Sequence, residues 1–111
     1  MSNVDVVRAL FEAYLTQDRP TAEALVAEPL VFTSPQDDHI DRDAYFSRCF
    51  PTADRLRSQM LLHLAELDGD SVLIAYEYEL TSGQRHRNTE ILTVQDGKVN
   101  EIQVFFGGIV R

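Results

Sequence analysis

Glu90 is the residue with the most chemistry within reach. It stands in an alternating stretch, His86-Arg87-Asn88-Thr89-Glu90-Ile91-Leu92. Alternation puts His86, Asn88, Glu90 and Leu92 on one face of a strand, and Arg87, Thr89 and Ile91 on the other. The preceding stretch alternates as well, with Val72, Ile74, Tyr76, Tyr78 and Leu80 sharing a face. If these two faces meet, a carboxyl, an amide and two phenols converge among apolar side chains. An ionised carboxylate there is costly to desolvate, so it must be hydrogen-bonded or hold its proton to higher pH. Such a group can act as a pocket acid or anchor a ligand. On the opposite face it would simply pair with Arg85 or Arg87.

The other candidates are weaker. Tyr14 completes an apolar stripe, where a tyrosine is more often core with its hydroxyl satisfied. Asp38 and His39 form a possible base, since imidazole titrates near neutrality and a carboxylate orients it. The plainer account is a polar turn ahead of a helix cap at Asp41. His63 lies in a strand apolar on both faces and is a candidate only if it shares a face with Tyr76. His86 is close to a turn, hence at a rim, and Cys49 reads as helix packing. No HxH, HExxH or paired-cysteine spacing occurs, so neither a metal nor a cofactor is expected.

The elements that must position these residues follow from periodicity. Val4, Val7, Leu10, Phe11 and Tyr14 recur at helical spacing, capped by Ser2 or Asn3. A second short helix runs from Pro20 to about Ala27 and is stopped by Pro29. Leu30 to Thr33 form a short strand, and Ser34 to Asp38 a polar loop. A third helix spans Arg42 to Phe50, terminated by Pro51. From Leu56 onward the period becomes two. Turn signals at Asp68-Gly69, Ser82-Gly83 and Asp96-Gly97 place glycines fourteen residues apart. This spacing predicts a meander of four antiparallel strands of about eleven residues, roughly 35 Å each. Strands that long coil, and the helices are available to fill the concave side. The expected class is therefore α+β, one domain over residues 1–111.

The hairpin at Ser82-Gly83 decides which face of the Glu90 strand is inside, because a one-residue slip inverts every side chain. A two-residue loop puts Arg87, Thr89 and Ile91 inside. A three-residue loop ending at Gly83, with glycine left-handed, puts Asn88, Glu90 and Leu92 inside. The second is preferred, because it sets Leu92 and Val94 against the apolar end of the preceding strand and leaves Arg85 and Arg87 in solvent.

Several local markers occur in a telling order: Phe32-Thr33-Ser34-Pro35, Asp38-His39-Ile40-Asp41-Arg42, Arg87-Asn88-Thr89-Glu90, and Asp96-Gly97-Lys98-Val99 leading to Phe105-Phe106-Gly107. With the element order, they make nearly the whole chain resemble the nuclear transport factor 2 (NTF2-like) superfamily, and within it the SnoaL-like and ketosteroid-isomerase-like proteins. The resemblance implies a cystatin-like cone with an apolar interior, usually dimeric through its sheet. In ketosteroid isomerase an Asp base moves a proton while a Tyr and a protonated Asp hold the oxyanion. By motif, Tyr14 falls at the oxyanion tyrosine, Glu90 at the protonated acid and Ser34 at the general base. A serine without an activating neighbour is no base at neutral pH, which speaks against steroid-type isomerisation.

The implied ligand is a small apolar molecule, contacted by Phe32, Ser34, His63, Tyr76, Tyr78, Asn88 and Phe106. Glu90, Tyr14, Asp38 and His39 are the catalytic candidates for isomerase, cyclase or dehydratase chemistry. The alternative is a non-catalytic binding or dimerisation module whose cone is plugged by its own side chains. A net charge of −8 repels phosphate backbones and anionic lipids, so neither nucleic acid nor membrane is an expected partner. One cysteine and no signal-like N-terminus suggest a cytoplasmic protein. Apolar side chains on both sheet faces suggest a homodimer.

Overall fold

The structure is a computed structural model that describes residues 1–111. Helix α1 (Asn3–Thr16) begins at Ser2, whose hydroxyl accepts the Asp5 amide while the Asp5 carboxylate returns to the Ser2 amide. That reciprocal cap satisfies two otherwise free donors. The face bearing Val6, Val7, Leu10 and Ala13 is buried. Helix α2 (Arg19–Leu25) is capped by Asp18. It ends two residues earlier than the sequence suggests. Val26 is already extended, and strand β1 (Val26–Thr33) runs straight through Pro29. Pro29 is therefore no helix stop. It lies in an edge strand, in the irregular stretch between the β1–β5 pairs Val26–Val99 and Val31–Glu101, where no ladder donor is required of it.

The third helical segment also differs from expectation. Only Arg42–Ala44 (α3) is α-helical, capped by Asp41 on the Ala44 amide at 2.9 Å. Tyr45–Cys49 widens into a π turn, and Phe50–Arg55 tightens into a 3-10 turn. Pro51 starts that last turn instead of ending the helix, because a first-turn position needs no amide proton. Phe46 and Phe50 are both buried, with ring centroids 5.5 Å apart.

Strands β2 (Leu56–Glu66), β3 (Ser71–Leu80), β4 (Arg85–Gln95) and β5 (Lys98–Ile109) form the expected antiparallel meander. Strand β1 adds to β5 in parallel, giving the sheet order β1-β5-β4-β3-β2. The helices cover one face of this sheet, and the core between them includes Val6, Leu10, Phe46, Ile74, Leu92 and Ile102.

The decisive hairpin has the three-residue loop. Leu80 and Gln84 pair by backbone, Thr81, Ser82 and Gly83 turn, and Gly83 takes φ +91°. Consequently Val72 faces Leu92, Ile74 faces Glu90, and Tyr76 faces Asn88. Two bulges adjust other strands. In β2, Leu61 pairs with Tyr76 but His63, not Leu62, pairs with Ala75. In β5, Asn88 pairs with Phe106 but Arg87 with Gly108, leaving Gly107 as the extra residue. A Cβ at Gly107 would stand 2.5 Å from the Arg87 carbonyl oxygen, so this bulge needs glycine.

Candidate functional site

The helices and the concave sheet face enclose a cavity of about 270 Å3, close to the small end of the range for ligand pockets. Its floor is apolar and buried, built from Val7 and Leu10 of α1 and from Ile74, Leu92 and Ile102 of the sheet. The wall becomes exposed at Arg55 and Phe106, which mark the mouth. Leu56, Gln59 and Leu80 join them there, all at the same end of the sheet.

Glu90 is the only acidic side chain on the cavity wall. Tyr76 donates its hydroxyl to Glu90 Oε2 at 2.5 Å, and Asn88 Nδ2 approaches the same phenol oxygen at 3.5 Å. The second carboxyl oxygen receives no hydrogen bond from the protein, yet is not sealed off. Glu90 is half-buried and lines the cavity. Burial pushes its carboxyl above the ordinary range, and the Tyr76 bond partly opposes that rise. Tyr76 is raised strongly by its own burial and then by the adjacent carboxyl. Phe11 meets the Tyr76 ring edge-on at 5.4 Å and fixes its direction.

Tyr14 lies on the same wall but faces a different partner. Its hydroxyl is 2.6 Å from Thr52 Oγ1, and Thr52 Oγ1 gives its own proton to the Cys49 carbonyl at 2.7 Å. Thr52 has one proton, so Tyr14 must be the donor of the pair. What Tyr14 offers a ligand is its ring and an oxygen lone pair. Its pKa is raised, first by burial. Cys49 also lines the cavity, and burial with the nearby Asp37 carboxylate pushes its thiol up to about 11.

No family model and no curated protein matches this sequence. Solved structures do. A protein from Kribbella flavida DSM 17836 is 27% identical, with a TM-score of 0.84 over 93% of this chain and 84% of that one. An NTF2-like protein of unknown function from Cytophaga hutchinsonii is 17% identical, with a TM-score of 0.76 over 96% and 90% of the two chains. A second Kribbella flavida protein, described as a "putative ketosteroid isomerase", is 19% identical, with a TM-score of 0.78 over 98% and 80%. This chain has the NTF2-like fold.

Within the NTF2-like cone, seven of the residues singled out in the sequence share the cavity: Tyr14, Phe32, Tyr76, Tyr78, Asn88, Glu90 and Phe106. Four do not. Asp38 and His39 pair with each other at 2.5 Å, and both side chains are solvent-exposed, at 93% and 68%. They belong to the turn before the Asp41 cap, outside the cone. Ser34 is consumed by the same loop, where its hydroxyl accepts the Gln36 and Asp37 amides at 3.1 Å. His63 is exposed on the outer face. Without the bulge at Leu62, the β2–β3 ladder would have continued to a His63–Ile74 pair inside the cone.

The NTF2-like cavity also holds residues that the sequence did not disclose as site residues. Tyr45 and Cys49 reach it from the π turn, Thr52 and Arg55 from the 3-10 turn, and Gln59 from β2. Gln59 is obscured because the register shifts at Leu56/Ser58 and Leu61/His63 break the alternation around it. The helical residues follow from turns of unequal pitch, which leave no fixed period to read. No group of three His, Cys, Asp or Glu side chains is placed to hold a metal ion.

Proposed function

We propose that this protein binds a small, mainly apolar molecule in the cone and holds one of its oxygens against Glu90. The observation that carries the reading is a carboxyl with one oxygen engaged by Tyr76 and the other turned to apolar space. A cone plugged by its own side chains would leave no such volume. The same geometry supports proton-transfer chemistry. Once ionised, a carboxyl with a raised pKa is the stronger base: it can take a proton from a carbon next to a carbonyl, the charge passing to the carbonyl oxygen, and return the proton to another carbon. Isomerisation needs that step, and aldol-type cyclisation and dehydration begin with it. No second carboxylate or imidazole lines the cavity, so the proton leaves and returns through Glu90. Fold likeness to a ketosteroid-isomerase-like protein is compatible with this class without selecting a substrate.

The test is binding of 2-naphthol, a fluorescent apolar alcohol, to the native protein and to Glu90→Gln. The native protein should bind it with an affinity that depends on pH, and the variant should bind it differently and without that dependence. Absence of binding, or an unchanged profile in the variant, overturns the assignment.

The reading includes a homodimer through the outer sheet face. Its support is Met60 and Phe105, 55% and 50% exposed there, beside the half-buried Leu73 and Ile91. Sedimentation at micromolar concentration should give twice the chain mass, and Phe105→Glu should give monomers. A cytoplasmic site of action fits the lone thiol of Cys49.

A further inference from the structure

The cavity has one cationic side chain, and it stands at the mouth. Arg55 is exposed, closes the 3-10 turn, and forms none of the ion pairs that occupy Arg19, Arg48, Arg57, Arg85 and Arg87. Its backbone is anchored, since the Arg55 carbonyl accepts the Thr81 amide at 3.0 Å. In a chain of net charge −8, an uncommitted guanidinium on a cavity rim is out of keeping with its surroundings. Gln59 lies beside it on the wall. Its Oε1 is buried and has no partner, whereas its NH2 is neither sealed off nor bonded, which leaves a free donor on this lining residue. The mouth thus presents donors from two side chains, a guanidinium and an amide, with no carboxylate to answer them. Only an anion supplied from outside does so with full strength.

We propose that the mouth formed by Arg55 and Gln59 recognises the carboxylate of an apolar carboxylic acid, whose far end reaches Glu90. This deepens the binding reading above and rests on it. The span is consistent. Gln59 pairs with Tyr78 and Glu90 with Ile74, four residues apart on β3, or roughly 13 Å of strand. Side chains leaning inward from both ends leave room for a fused two-ring body with polar groups at opposite ends. The ligand class is therefore an apolar monocarboxylate with a hydroxyl or carbonyl at the other end.

A matched pair of probes tests this: 6-hydroxy-2-naphthoate and 2-naphthol, which share the ring and hydroxyl and differ by the carboxylate. The native protein should prefer the naphthoate by about fivefold, the value of a favourable partly exposed ion pair. Arg55→Gln should abolish the preference for the naphthoate over 2-naphthol, and Gln59→Leu should reduce that preference. Raising the salt concentration should weaken naphthoate binding only where Arg55 is present. Glu90→Gln should shift both probes together and keep their ratio. Equal affinities in the native protein, or a preference that survives Arg55→Gln, overturn the carboxylate site while the cavity reading stands. If neither probe binds the native protein, both fall.

Discussion

The Tyr76 hydroxyl and the Glu90 carboxyl stand 2.5 Å apart on adjacent strands, although their backbone positions are not directly paired: Tyr76 faces Asn88, and Glu90 faces Ile74. The contact is diagonal across the ladder, which long side chains on one face can make. It couples the one acid of the cavity to a phenol that is itself locked by Phe11.

Glu90 makes stability depend on pH in a defined direction. Its proton is held more tightly in the folded chain than in the unfolded one, because burial raises its pKa from 4.5. Above that value the folded state carries the extra proton, so stability falls as pH rises toward the raised pKa. Urea midpoints from pH 5 to 8 should decline in the native protein more than in Glu90→Gln. Parallel profiles would show that Glu90 titrates as a free carboxyl.

Tyr76→Phe should push the Glu90 titration still higher, since the lost hydrogen bond is the one influence holding that pKa down. Carboxyl carbon NMR of Glu90 in the two proteins reads this shift directly. A downward movement would contradict the geometry.

Tyr14 and Thr52 should respond unequally to substitution. Tyr14→Phe removes one donor while Thr52 keeps its bond to the Cys49 carbonyl, a loss of about 1 kcal/mol. Thr52→Val also strands the Tyr14 hydroxyl and leaves the Cys49 carbonyl without this donor, so it should cost more, on the order of 2 kcal/mol. Urea denaturation of both variants gives the order.

Cys49 should be a poor nucleophile in the folded protein. With its pKa pushed up to about 11, roughly one thiol in a thousand is ionised at pH 8. Alkylation at that pH should be slow and should accelerate sharply in denaturant.

Gly107→Ala should loosen the mouth as well as the sheet. The added methyl meets the Arg87 carbonyl, and relieving that clash costs about 1–3 kcal/mol. Phe106 precedes the bulge and lines the cavity, so 2-naphthol affinity should fall together with the thermal midpoint.

What could be read from the sequence was whatever repeats or punctuates. The three turn glycines set strand lengths and order, and the preference for a three-residue loop at Gly83 put Glu90 on the inner face, where it lies. Tyr76 and Tyr78 followed from alternation, and Asn88 from the same loop preference as Glu90. Interruptions were not legible. Leu62 inserts one residue without a local signal and so turned His63 outward, whereas the residue inserted at Gly107 is marked only by the glycine pair that interrupts its strand. Pro29 suggested a helix stop because nothing local tells an edge strand from a helix end. Tyr14 lies on the cavity wall, but the direction of its hydroxyl depends on Thr52, thirty-eight residues away.

The irregularities of β2 have one more effect. This strand is an outer member of the sheet, so one row of its amides and carbonyls has no neighbour. An unbroken row of that kind invites another chain to add on and begin a fibril. The shifts at Leu56/Ser58 and Leu61/His63 divide the row into short pieces, and Arg57 places a charge among them. A stranger's strand can follow this border for only a few residues before losing step. The kinks that displaced His63 from the cone thus also guard the chain against stacking edge to edge.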